Sequence, residues 1–575
     1  MPIQPQKWHK PFQASLAVEN DLTPKIIGLT NGNSVATWLD GATGKVHAQL
    51  FGPLGDRIGS ELTVNSTGDV GMSLDVAAQP NGGFVVVWDR TVNDGDIVFQ
   101  RFASSGAKLG GESKVAGGAD ADAESAPSIA TLTNGDFVIT WNNNLTGLSP
   151  PGSVAGIHAS VYRADGTLAG TGTDINLTAG AADNVSEVRI SATVDGGFVL
   201  THSIHTVTGN DIFFRHFGIV SAGGGPLSVF QLSSGKVNLL QPAGDEQSPS
   251  VVGLPNGGWA VAYSDKTGSF DNDLYLRVYD KLGGLISNTT VANTTSFESN
   301  SSLAVSTDGT ILLTWNKINL DSAGHLSSSV FGHSYNSAGT SIGGDFKISG
   351  NSTLLASVVP SVSALSDGRF AVAWFELSAT GAINFTVPTV IQIIDGRDAT
   401  ITGTNGADVI AGHDTGQSIV NDFISGLAGN DILFGLAGRD ILDGGADQDR
   451  LVGGLGRDTL TGGTGNDTFD FNSIKETGKT GATRDLITDF QHGHDKIDLK
   501  DIDAKFHAAK NDAFTFIGKQ AFHGVEGELH FSKLNRPGTA HDVTIVEGDV
   551  NGDGAADFQI LLKGLVNLTK GDFVQ

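Results

Sequence analysis

Asp431, Asp440, Asp449, Asp458 and Asp467 stand at a strict interval of nine. Each falls at the end of the glycine-dense turn of a nine-residue unit. These units run without a gap over 425–469: SGLAGNDIL, FGLAGRDIL, DGGADQDRL, VGGLGRDTL and TGGTGNDTF. Carboxylates on that pitch, set among carbonyls that glycine allows to converge, suit a hard cation. Calcium takes roughly six to eight oxygens at about 2.3–2.6 Å, and glycine supplies the dihedrals that bring backbone oxygens together. The units 452–460 and 461–469 are complete matches, with Gly454, Gly456 and Asp458 in one and Gly463, Gly465 and Asp467 in the other. In the earlier units Leu427 and Leu436 replace the second glycine and Asp447 the third. A degenerate copy, TGTNGADVI at 402–410, carries Asp408 and is separated from the rest by the irregular stretch 411–424. Without a cation the aspartates repel one another, so folding and calcium binding are expected to be one event. A flexible Gly/Asp linker is the alternative, and five in-phase copies argue against it.

To hold those oxygens in a row, each unit must form one turn and one short strand, the period of a parallel β-helix. Leu433, Leu442, Leu451, Leu460 and Phe469 would then stack inside it. The array resembles the RTX nonapeptide family, which implies a parallel β-roll with calcium between successive turns along one edge. The following stretch, FDFNSIKETGKTGATRDLITDFQHGHDKIDLKDID at 469–503, resembles the cap of the serralysin-type C-terminal domain, notably in DLITDF and GHDKIDL. That resemblance spans about 400–575. Within it Asp485, Asp489 and Asp495 read either as a further calcium site or as a solvated acidic face. GDVNGDGAADF places Asp549, Asn551, Asp553 and Asp557 as in half an EF-hand loop, but without the closing Glu at loop position twelve; a plain hairpin is the competing reading.

Composition narrows the partners. Lys+Arg 35 against Asp+Glu 62 gives a net charge of −27 over 575 residues, which disfavours nucleic acid and anionic membranes and favours cations. With no cysteine, disulfides and thiolate metal sites are excluded. The N-terminus MPIQPQKWHKPF lacks an apolar core after its positive charges, and no run of about 18 apolar residues occurs, so neither Sec export nor a membrane span is expected. An array of weak calcium sites nonetheless makes little sense at cytosolic calcium levels. The RTX resemblance implies the resolution: export from a Gram-negative cell, unfolded, through a type I secretion apparatus, giving a secreted, extracellular protein. The terminal GDFVQ resembles the uncleaved type I signal, with Gln575 in place of the more usual hydrophobic residue.

A second, longer repeat fills the region before the array. Its core reads NGNSVATW (31–38), NGGFVVVW (81–88), NGDFVITW (134–141), DGGFVLTH (195–202), NGGWAVAY (256–263), DGTILLTW (308–315) and DGRFAVAW (367–374). The spacing, 50 to 61 residues, is propeller-blade length. Each Asn-Gly or Asp-Gly is a hairpin turn between a short apolar strand, such as PSIATL, and the next strand; two further strands follow. The expected fold is all-β: a seven-bladed β-propeller over 1–395, an RTX parallel β-roll over 396–469, and a serralysin-type cap with secretion signal over 470–575. The seventh repeat stops after its third strand, VPTVIQIID (388–395), and SLAVEN (15–20) reads as the orphan fourth strand that closes the ring. Tandem β-sandwiches are the alternative architecture. The repeat also resembles the propeller-like units of large secreted RTX proteins, which carry no agreed activity.

The propeller offers two periodic features. Asp21, Asp69, Glu124, Glu246 and Glu298 recur before the first strand of five blades, with Val185 and Ser357 in the other two. They read either as acceptors for amides of their own turns or as a rim for a cation or a polyhydroxyl ligand. Trp38, Trp88, Trp141, Trp315 and Trp374 share one blade position, with Tyr263 and His202 as substitutes; packing between blades is the expected role, sugar stacking the other. The long loops 142–156 and 316–328 are where recognition would sit. HExxH and a phosphate loop are absent, and His202 and His205 lack a third ligand. The single Asp414-Thr415-Gly416 lacks the flanking apolar strand of an aspartic protease. The expectation is a secreted calcium-binding protein whose propeller binds a polysaccharide or a cell-surface glycan. A polysaccharide hydrolase or lyase, with its site in the propeller mouth, and a structural matrix component are the alternatives.

Overall fold

A computed structural model describes residues 6–15, 21–68, 70–91, 96–115, 123–144, 156–169, 175–176, 184–206, 209–221, 227–238, 245–266, 271–292, 294, 296–320, 326–349, 359–375, 389–395, 397, 400–413, 420–480, 483–506, 511–535 and 542–575. The chain divides into two compact units, 2–396 and 397–575.

The first unit is a seven-bladed β-propeller. Each blade is a four-stranded antiparallel meander, and the blades occupy 21–63, 70–114, 123–176, 184–236, 246–292, 297–347, and 361–395 joined by Gln6–Gln13. In blade 1 the strands are Asp21–Gly28, Ser34–Asp40, Lys45–Phe51 and Arg57–Thr63. The first hairpin of that blade shows why every repeat has Asn-Gly or Asp-Gly. Gly32 lies at φ 86°, its N–H donates to the Leu29 carbonyl at 3.2 Å, and the Leu29 N–H donates to the Asn33 carbonyl at 2.7 Å. Glycine takes that left-handed position without a Cβ clash.

Blade 7 is closed from the other end of the sequence. Gln6–Gln13 runs antiparallel to Thr389–Asp395, from Gln6 opposite Asp395 to Gln13 opposite Val390. The closing strand therefore lies upstream of SLAVEN, of which only Ser15 is described. The reason is positional. The fourth strand is the outermost of its blade, and the chain must next reach the innermost strand of blade 1, which starts at Asp21, so residues are needed between the two.

Tryptophans of the second strand pack on the blade before them. Trp88 joins Leu39 and Val46 of blade 1, Trp141 joins Val87 and Phe99 of blade 2, and Trp374 joins Leu312 and Val330 of blade 6. The innermost strands share a bulge in blades 1, 3, 4, 5 and 6, with Thr23, Ala126, Glu187, Ser248 and Asn300 at φ between 46° and 54°. Non-glycine residues pay for such a conformation in strain, and the tertiary context must hold it. Just after the bulge, a side chain of one blade accepts an amide of the next. The Ser250 Oγ accepts the Leu303 N–H at 3.0 Å, the Ser302 Oγ the Val362 N–H at 3.2 Å, and the Ser361 Oγ the Ile26 N–H at 3.3 Å across the closure. In blade 2 Asp75 does the same with Ile129 at 3.1 Å.

The second unit winds as a parallel roll in which two nonapeptides, 18 residues, make one turn. Successive units alternate between two sheets. On one, Ile401, Ile424, Leu442, Leu460, Ile487 and Leu562 stand in register. On the other, Ile410, Leu433, Leu451, Phe469, Ile497 and Phe573 do so. All belong to one core, between 0 and 8% exposed. Both ladders continue past 469, through Leu486–Ile487 on one side and Lys496–Asp498 and Phe573–Val574 on the other. The roll thus has no break at 469/470, because the cap supplies the apolar residues and strand edges that cover its last turns.

Candidate metal centres

The nonapeptide aspartates form a buried, periodic hydrogen-bonded row. Asp431, Asp440, Asp449, Asp458 and Asp467 are 0–3% exposed. In each, Oδ1 accepts the backbone N–H of an aspartate one turn back. The Asp440 Oδ1 takes the Asp422 N–H at 2.8 Å, Asp449 that of Asp431 at 2.9 Å, Asp458 that of Asp440 at 2.8 Å, and Asp467 that of Asp449 at 3.0 Å. Asp431 takes the N–H of Asp408 at 2.7 Å. The other oxygen, Oδ2, has no hydrogen-bond partner in any of the five. A buried carboxylate oxygen with nothing to bind is costly, and a cation is the group that removes the cost.

The surroundings of those oxygens fit a metal. A Cβ added at Gly435 would lie 2.8 Å from the Asp440 Oδ2 and 2.4 Å from the Gly453 carbonyl oxygen; at Gly444 it would lie 2.4 Å from the Asp449 Oδ2 and 2.7 Å from the Gly462 carbonyl oxygen. A carboxylate oxygen and a carbonyl of the next turn therefore converge where only glycine leaves room. Gly454, Gly456, Gly463 and Gly465 have φ of 89°, 145°, 98° and 156°. A Cβ at Gly456 or Gly465 would come within 1.7 Å of a carbonyl oxygen of the preceding turn. Leu427, Leu436 and Asp447 keep the left-handed backbone, at φ 79°, 75° and 80°, despite their side chains. Among the described residues no three acidic or histidine side chains converge, so a cation here would draw on one carboxylate per unit and on backbone carbonyls.

Burial, before any other cause, raises these carboxyls: Asp431 to about 6, Asp440 to about 8, Asp449 to about 7 and Asp458 to about 6. Asp467 is raised by burial as well. Hydrogen bonds from the backbone oppose the shift, and neighbouring aspartates add to it in Asp431, Asp440, Asp449 and Asp467. A divalent ion reverses that balance by favouring the charged form.

The remaining acidic residues divide. Asp485 continues the row: its Oδ1 accepts the Asp458 N–H at 2.8 Å, its Oδ2 has no partner, and burial pushes it up to about 9. Asp495 accepts the Asp467 N–H at 3.0 Å and the Gln491 N–H at 2.7 Å, so both its oxygens are occupied. Asp489 takes the Gly462 and Gly463 amides. Asp408 is held by its own turn through Thr404. Around 549–557 the side chains organise a turn. Asp549 accepts amides of Asn551, Gly552 and Gly554, Asn551 accepts that of Asp553 and donates to Asp557, Asp553 accepts that of Ala555, and Asp557 that of Val550.

One member of the row has a different partner. Asp422 lies nine residues before Asp431 and its N–H donates to Asp440, but its oxygens accept the His413 N–H at 2.7 Å and meet the His413 Nδ1 at 2.6 Å. His413 thus occupies both oxygens of Asp422, where the later units leave one open. The interval of nine was the signal for Asp422; nothing in the sequence marked His413. Residues 414–419, with the Asp-Thr-Gly, lie outside the described residues.

In the propeller Asp21, Glu124, Glu246 and Glu298 are 0–2% exposed, each at or beside the start of an innermost strand. Asp69 lies outside the described residues, as do 145–155 and 321–325 of the long loops. The Asp21 Oδ2 accepts the Thr389 N–H of blade 7 at 2.7 Å, tying neighbouring blades. Glu298 accepts from Thr294 at 2.6 Å and pairs with Lys317 at 3.2 Å. Burial pushes Glu246 up to about 7 and raises Glu298. These carboxylates are interior groups, not a solvent-facing rim. Trp38, Trp88, Trp141, Trp315 and Trp374 are at most 2% exposed and present no face to a sugar.

Residues 383–575 match the family model described as Peptidase M10 serralysin C terminal. No curated protein matches the chain. Among solved structures, the chain is similar to an α-L-arabinofuranosidase of Fusarium graminearum (10% identity, 67% of this chain and 98% of that one, TM-score 0.38). It is also similar to a protein of unknown function from Dyadobacter fermentans (11% identity, 56% and 94%, TM-score 0.36). A third is the AlgE6R3 subunit of the Azotobacter vinelandii mannuronan C5-epimerase (25% identity, 30% and 76%, TM-score 0.17). These superpositions are loose.

Proposed function

We propose that this protein works outside a Gram-negative cell as a calcium-binding protein of the RTX kind, exported by a type I apparatus and folded by the calcium it meets. The observation that carries this reading is the row of buried aspartate Oδ2 atoms without partners, with those of the five nonapeptide aspartates each packed against a glycine that has no Cβ to keep the carboxylate away. Asp431, Asp440, Asp449, Asp458, Asp467 and Asp485 would hold calcium together with carbonyls of adjacent turns. Calcium supplies positive charge to oxygens that otherwise repel, so the roll gains its stability where calcium is abundant. The match of 383–575 to the serralysin-type domain supports the same reading, and among the described residues no helix is long and apolar enough to cross a membrane.

The propeller is the binding half, directed at a polysaccharide or a cell-surface glycan. A ring whose blades are tied by side-chain-to-amide bonds is a rigid platform of the kind on which recognition loops sit. The test has two arms on the full chain. Chelation should remove much of the β signal in circular dichroism, calcium should restore it, and Asp458→Ala should require more calcium; an unchanged signal under chelation would sink the calcium reading. Calcium-loaded protein is then incubated with bacterial and plant polysaccharides. Retention supports the binding module, falling viscosity replaces it with a hydrolase or lyase, and neither leaves a structural role.

A further inference from the structure

The bulged innermost strands surround a cavity of about 380 Å³ on the propeller axis, lined by residues of all seven blades. At the level just after the bulge each blade contributes one side chain. Blades 3, 5, 6 and 7 contribute Ser128, Ser250, Ser302 and Ser361, while blades 1, 2 and 4 depart from serine with Lys25, Asp75 and Arg189. We infer that this axial cavity is a binding site for a small oxyanion, such as the carboxylate of an acidic sugar, held by Lys25, Arg189 and the serine hydroxyls.

The donors outnumber the acceptors there. Ser250, Ser302 and Ser361 each use Oγ to accept an amide of the next blade, and among the described residues none of the three donates its hydroxyl proton to a protein acceptor. Their protons are therefore available to a ligand. Asp75 is already engaged: it accepts the Ser128 hydroxyl at 2.9 Å and the Ile129 N–H at 3.1 Å, and it lies 3.8 Å from the Lys25 Nζ. That leaves the Arg189 charge uncompensated on this ring. Arg189 is exposed to the cavity and spends one bond, at 2.8 Å, on the Val188 carbonyl. Burial foremost, and the Arg189 charge set against the attraction of Asp75, hold Lys25 below the usual ammonium value. Two cations facing one cavity in a protein of net charge −27 are a local reversal of sign. An anion between them relieves their repulsion and gives the serine protons an acceptor. The site does not depend on the calcium chemistry of the roll.

The experiment is a calorimetric titration of the full chain, calcium-saturated, at pH 7 and constant ionic strength, with sodium glucuronate, sodium sulfate and neutral glucose. Saturable binding of glucuronate or sulfate is expected, and the preference between them identifies a carboxylate or an inorganic oxyanion as the occupant. Arg189→Gln should weaken that binding at least tenfold, whereas Asp75→Asn, which removes the one negative group, should tighten it several-fold. The opposed directions separate a binding effect from poor folding, and Asp75→Asn carries the test if Arg189→Gln does not fold. No saturable anion binding, equal binding of glucose, or Asp75→Asn binding no tighter than the wild-type chain would overturn the inference.

Discussion

His202 takes in blade 4 the place that tryptophan takes in five other blades, and its ring stacks on Phe213 with centroids 5.8 Å apart. Burial, and after it the Arg215 guanidinium, push it down to about 3 from 6.5. The folded value lies below the unfolded one, so the neutral ring contributes stability above pH 6.5 that is lost as pH falls from there toward 3. Blade 5 shows the remedy. Tyr263 occupies the same position, stacks on Tyr275, and has Arg277, the counterpart of Arg215, 5.4 Å from its ring centre. His202→Tyr should therefore gain stability at pH 4 relative to pH 8, by up to about 3 kcal/mol, read from denaturant melts at the two values; an equal effect at both would rule out the titration. The period of the aromatic position was legible in the sequence, whereas the charge beside it was not. Arg215 and His202 meet only through strand register. The same holds for Lys25, Asp75 and Arg189, which look unrelated until the blades are superposed.

The turns of the roll show what a repeat tolerates. Leu427 keeps φ 79° with its side chain 43% exposed, so it carries the left-handed penalty and buries little in return. Leu427→Gly should raise the calcium-saturated melting stability by about 0.5–1 kcal/mol, the difference between a penalty of about 1–2 kcal/mol and the added chain entropy of glycine; a loss would show that the Leu427 side chain contributes packing. The glycine pattern made these turns legible, even where glycine is missing, because the interval of nine fixes the backbone. It did not reveal that the row extends beyond the repeats, to Asp422 at one end and Asp485 at the other. Asp422 keeps the interval of nine but sits in a turn without the glycine signature, and Asp485 follows a break of 18 residues from Asp467, so it is the closed ladders that place both in the row.

At the scale of the molecule, the propeller is a circle closed by the joining of distant segments, and the closure rests on Gln6–Gln13, Thr389–Asp395 and the serine-to-amide bond from Ser361 to Ile26. Deleting residues 1–13 should lower the stability of the whole propeller by several kcal/mol, since each ladder bond contributes roughly 1 kcal/mol and an open ring frays at both ends. The check is a thermal melt with calcium saturating, where an unmoved propeller transition would refute the role of the strand. The seven repeats made a ring legible; which strand closed it was not, because SLAVEN has the better strand composition and the geometry of the crossing decides otherwise. The roll obeys a rule of another kind. Its units alternate between two sheets, and its last turns are continued by a cap whose strands belong to one particular side each. Length is therefore free only in even steps. Inserting two nonapeptides would lengthen the roll and leave both ends matched, whereas inserting one would exchange the faces and present the cap to the wrong edge. Parity, rather than the number of calcium ions, limits how such a chain can grow.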